Sequence, residues 1–171
     1  GWQLGEPDLV LETGAPFELP ADGADVYRNF VIPVPADPPL RFVRSVEIVP
    51  ADPKVVHHGV LRVDLSGSVR LLDAEDPEPG FDGMVFAGAG MPDGRFIGWT
   101  PGKRPDPGSD ARAFRLHGGS DLVLQLHLRP SGKPQPITAK LGLRFSNVPP
   151  TQPALSMELA NGDIELPPGA T

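Results

Sequence analysis

Residues 121–128 read DLVLQLHL. Leu122, Leu124, Leu126 and Leu128 recur at every second position, which is the period of a strand and not of a helix. One face of this strand is therefore expected in a core. Val123, Gln125 and His127 share the opposite face. The same phase recurs in ITAKLGLRF, residues 137–145. There Leu141, Leu143 and Phe145 are expected inside, with Lys140, Gly142 and Arg144 outside.

Working outward, strand-like stretches fill the chain: DLVLE, VYRNFVIPV, RFVRSVEIVP, HHGVLRVDL, SVRLLD, RFIGWTPG, ARAFRLH and ALSMELAN. No window of a dozen residues carries a helical stripe free of proline and glycine. The 23 prolines and 20 glycines punctuate short apolar segments and form no tract, which reads as strands joined by tight turns. The expectation is an all-β chain forming a jelly-roll-like antiparallel β-sandwich. The sandwich is expected over residues 1–148. Proline-rich residues 149–171 read as a linker or the start of a second domain.

The 171 residues carry 15 basic and 22 acidic side chains, a net charge of −7, and no cysteine. No basic cluster exceeds a pair, so no nucleic-acid partner is expected. No apolar run is long enough for a membrane helix. Disulfides and thiolate metal sites are excluded. The chain opens on GWQLGEPDLV, without methionine, basic start or apolar leader, which predicts a piece of a longer protein. Nucleotide-binding and serine-hydrolase fingerprints are absent, and no catalytic residue is assigned.

Chemistry concentrates in four histidines: His57, His58, His117 and His127. Imidazole is the commonest protein metal ligand. In VVHHGVLRVDL, Leu61, Val63 and Leu65 set the core face, with Arg62 and Asp64 outside. Strict alternation then sends His57 inward and His58 outward. His58 can meet His127 on a shared outer face. His57 joins them only through a local distortion, for which Gly59 is the expected residue. On spacing alone, a core His57 and a surface His127 is the favoured reading. His117, beside two glycines, reads as a surface turn residue. Met84, Met91 and Met157 read as packing or loop residues, and Trp2 and Trp99 as core or edge anchors. DAEDPEPGFD lacks calcium-loop spacing and reads as a solvated loop.

Three stretches in order shift that balance. VVHHGVLRV resembles the histidine-pair strand of the copper type II, ascorbate-dependent monooxygenases, the family of peptidylglycine α-hydroxylating and dopamine β-monooxygenases. RFIGWTPGKRPDPG resembles its tryptophan loop, and DLVLQLHLRPSG its later strand with a third histidine. The likeness spans about residues 25–148 and is nearest to bacterial members. It implies an N-terminal copper domain whose single copper is held by His57, His58 and His127 and serves as an electron reservoir. It also implies that Gln125, two residues before His127, orients that ligand or a bound water. The implied partners are a second, C-terminal copper domain of the same polypeptide and an external reductant such as ascorbate. The implied location is the bacterial periplasm or exterior. The chain departs from the family in having neither a His-X-His motif for an oxygen-activating copper nor the disulfides of animal members. Two other readings stay open: a three-histidine zinc site with a hydrolytic role, and a non-catalytic β-sandwich binding module.

Overall fold

A computed structural model describes residues 1–157 together with Leu159, Asp163 and Gly169. The chain runs through β1 (Leu9–Glu12), β2 (Phe17–Leu19), β3 (Val26–Pro33), β4 (Leu40–Pro50) and β5 (Val56–Asp64). A short helix α1 (Val69–Glu75) and strand β6 (Phe81–Asp82) follow. Then come β7 (Ile97–Trp99), β8 (Phe114–His117), β9 (Asp121–Leu128), β10 (Gln135–Ile137) and β11 (Ala139–Ser146). Among the described residues no helix is long and apolar enough to cross a membrane.

The strands form one sheet in the order β1-β11-β4-β8, a second in the order β6-β3-β9-β5-β7, and a small ribbon of β10 with β2. Every pairing is antiparallel. First pairs with last throughout: β1 with β11, β2 with β10, β3 with β9, β4 with β8, and β5 with β7. This nesting is one long hairpin rolled into two sheets, and the contacts β4–β11 and β5–β9 close the roll. The fold is an all-β, jelly-roll sandwich.

Leu122, Leu124, Leu126 and Leu128 are fully buried between the sheets, beside Phe30, Leu61, Phe114, Leu141 and Leu143. Each buried leucine contributes roughly 2 kcal/mol relative to exposure. The other face of β9 departs from expectation. All eight of its residues are buried, because α1 and the segment after β6 cover that side of the sheet. Val123 packs there with Val69 and Phe81.

That cover explains most of the misread segments. SVRLLD, expected as a strand, forms α1. The Asp64 carboxylate accepts the backbone N–H of Val69, the first helical residue, at 2.9 Å and that of Ser66 at 2.6 Å, which ties the helix start to the end of β5. Asp64 is thus buried, and Leu65 is 69% exposed, the reverse of the expected phase. The acidic stretch 73–82 is not merely solvated. Asp76 makes a bidentate ion pair with buried Arg28, at 2.9 and 2.8 Å, which holds its carboxyl down to about 2.

The outer face of β11 is also covered, by the N-terminal segment. Trp2 lies so close over Gly142 that an added Cβ would sit 2.7 Å from its ring. Buried Arg144 pairs with buried Glu47 at 3.2 Å. Only Lys140, paired with Glu12 at 2.8 Å, faces out as expected. In ALSMELAN, residues 154–157 form no strand, and most of the rest lies outside the described residues, as do 11 of the 23 residues of the expected linker.

Candidate metal centre

Strand β5 runs beside β9, but its register is broken once. Val56 faces Leu128 and His58 faces His127, so two steps on β5 match one on β9. His57 is the extra residue of a β-bulge. Buried Val56 precedes the bulge, and Gly59 and Leu61 are buried after it. Val56 and Gly59 are three positions apart on the core side, where a regular strand would space them by two. The added residue lets both histidines lie outside the core against His127. The distortion is centred on His57 and not on Gly59. Gly59 serves packing: an added Cβ would meet the Leu126 side chain at 3.1 Å.

The three imidazoles converge through their Nδ1 atoms. His57 lies 3.2 Å from His58 and 3.1 Å from His127, and His58 lies 3.4 Å from His127. A point equidistant from all three is about 1.9 Å from each, close to the roughly 2.0–2.1 Å of a metal–imidazole bond. The ring planes cross at 65° to 73°, so the three imidazoles meet there in different orientations. One proton can bridge only one such pair, and a cation satisfies all three. His57, His58 and His127 thus form a group able to hold a metal ion.

Neighbouring residues fix this arrangement. The Nε2 of His127 lies 2.8 Å from Oδ2 of Asp25. Donation of the Nε2 proton to that carboxylate leaves Nδ1 as a lone pair, the tautomer a metal requires. Tyr27, directly across from His127 on β3, stacks on its ring at 4.3 Å and 10°. Burial, followed by the nearby His127 and His57, holds the pKa of His58 below its ordinary value. The neutral, ligating form therefore persists to lower pH.

No family model, curated protein or solved structure matches the chain.

The site rests accordingly on its own geometry. Gln125 shares the strand face of His127 but is engaged elsewhere. Its amide donates to Asn29 Oδ1 at 2.8 Å and to the carbonyls of Gly83 and Met84 at 3.1 Å. It ties down the loop after β6, while Asp25 and Tyr27 hold the imidazole. Sequence reasoning missed both of those residues. Their one signal was period: Asp25 and Tyr27 lie two apart, on one face of the strand that pairs with β9. His117 is exposed at the end of β8, in the other sheet. Met84, Met91 and Met157 are exposed. Trp99 packs partly against the core and pairs with Gly59. It also borders a groove flanked by His57, His58, Phe96, Thr100 and Lys103.

Proposed function

We propose that the chain is the electron-transfer copper domain of a copper-dependent monooxygenase, holding one copper through His57, His58 and His127. The convergence of three Nδ1 atoms around one point carries this reading. Copper bound there supplies a one-electron reservoir, since neutral imidazoles suit both of its oxidation states. His127 is held as the Nε2–H tautomer by Asp25. His57 and His58 complete the donor set from the bulge, and His57 is exposed. Tyr27 closes the opposite flank of His127.

The zinc-hydrolase alternative needs a general base near the metal, and no carboxylate is among the described residues that line the flanking groove. Asp25, the nearest acid in the hydrogen-bond network, is committed to His127. The oxygen-activating site, the second copper domain, an external reductant such as ascorbate, and a periplasmic or secreted location all belong to this proposal. They rest on the family resemblance.

The test is metal loading of the purified chain. The expected result is one Cu(II) with a nitrogen-coupled paramagnetic resonance spectrum, reducible by ascorbate, and no hydroxylation of a C–H substrate by the chain alone. Preferential retention of zinc without a copper signal would favour the hydrolytic reading. Uptake of neither metal would leave a plain binding module.

A further inference from the structure

On the other side of β7 from the histidine groove lies a second cleft, of about 200 Å³. Strand β4 forms one wall and β7 the other, so the cleft opens between the two sheets at their edge. The segment from Thr100 to Ser109 straps across it. Ser45 Oγ donates to the Asp106 carbonyl at 2.7 Å. Gly108, at φ +66°, lies so tightly on the Arg44 carbonyl that no side chain fits. The strap is therefore fixed at its far end and the cleft is a formed feature.

Its charge is opposite to that of the chain. In a protein of net charge −7, Arg44, Arg95, Lys103 and Arg104 all line this one cleft. The acids beside them are already engaged. Glu47 takes Arg144 at 3.2 Å and the backbone N–H of Gln3 at 2.7 Å. Asp106 accepts the N–H of Gly108 at 2.8 Å. Nη1 of Arg95 is buried and has no hydrogen-bond partner among the described residues. The remaining wall is apolar: Ile48, Ile97, Trp99 and Phe114. Phe96 packs over Gly98, where an added Cβ would be 2.6 Å from the ring, and borders both this cleft and the histidine groove.

We propose that this cleft binds a small organic anion, a carboxylate on a compact apolar body. Arg95 takes the charge, with Arg44, Lys103 and Arg104 adding attraction, and the apolar wall takes the body. A charge-assisted, forked contact to guanidinium suits such a group, and the volume suits a ligand the size of benzoate. The site does not depend on which metal the histidines hold.

Titration of the full chain with benzoate, benzamide and inorganic phosphate, followed by backbone and indole amide NMR, tests this. Benzoate is expected to shift Arg95, Gly98 and the Trp99 indole saturably, with benzamide and phosphate binding about tenfold or more weakly. Arg95→Met is expected to weaken benzoate by a similar factor. Should that variant fail to fold, the exposed pair Lys103→Met and Arg104→Met carries the same expectation in smaller degree. No saturable benzoate shift overturns the proposal. So does benzamide or phosphate binding as tightly as benzoate, or unchanged affinity in a folded variant.

Discussion

Asp25 and His127, 102 residues apart in sequence, meet at 2.8 Å between Oδ2 and Nε2. The contact converts His127 from a free imidazole into an oriented ligand, because its second nitrogen is committed to donation. Asp25→Asn keeps the shape but allows the amide to present either a donor or an acceptor. Copper affinity is then expected to fall about 10–100-fold, as for other partners of metal-binding histidines. The thermal midpoint of the metal-free protein should change little, since Asp25 is exposed. Competition titration against a copper chelator measures the first quantity and calorimetry the second. Unchanged affinity would mean that stacking on Tyr27 alone orients the ring.

The bulge at His57 makes a sharper prediction. Deleting His57 removes the extra residue and lets β5 pair with β9 in unbroken register. Val56 and Gly59 keep their core positions, and His58 still faces His127. The fold is expected to survive, with β5 amides better protected from exchange than before. Copper affinity should drop by more than an order of magnitude, because one of three ligands is gone. His57→Ala retains the bulge and should lose affinity without that gain in protection. Similar exchange in the two variants would show that the bulge is not set by the extra residue.

The reach of sequence reading follows from these details. Alternation in DLVLQLHL and ITAKLGLRF identified core faces correctly, because burial between two sheets imposes a period of two. It failed on their other faces, where α1 and the N-terminal segment supply a second layer that no local pattern announces. Arg28, Asn29, Glu47 and Arg144 are buried, yet each looks like a solvent-facing residue in sequence. The histidines were legible as residue types, but strict phase set His57 against His58. A bulge depends on a long-range pairing between β5 and β9, and is therefore invisible along the chain. Asp25 was out of reach for the same reason.

The Arg28–Asp76 pair predicts a specific acid response. The carboxyl of Asp76 is held at about 2 by hydrogen bonds from Arg28, against the opposing effect of burial. A depressed folded pKa stabilises the fold fully above the unfolded value, near 3.8. That stabilisation is lost as the pH falls through the interval down to about 2. The shift corresponds to about 2 kcal/mol. Asp76→Asn should lose about that much at pH 7, and more if Arg28 is left unsatisfied. Between pH 5 and pH 2 the wild-type advantage over the variant should shrink toward zero. Urea unfolding at a series of pH values checks this, and a constant difference would show that the pair does not titrate in that window.

Gly59 couples the core to the metal centre. It faces inward one residue past His58, and its position leaves a new Cβ 3.1 Å from Leu126 Cδ2. Leu126 can yield only by a few tenths of an ångström, because it is fully buried among other core residues. Gly59→Ala is therefore expected to cost about 1–2 kcal/mol by overpacking. The strain should push β5 away from β9 at the point where His58 faces His127, widening a 3.4 Å approach. Copper affinity should fall together with stability, though no ligand has been touched. The companion variant Gly59→Ala with Leu126→Val returns the lost space and is expected to recover much of both. Loss of stability in Gly59→Ala with unchanged copper affinity would show that the triad's geometry is set by the bulge alone and not by the packing beneath it.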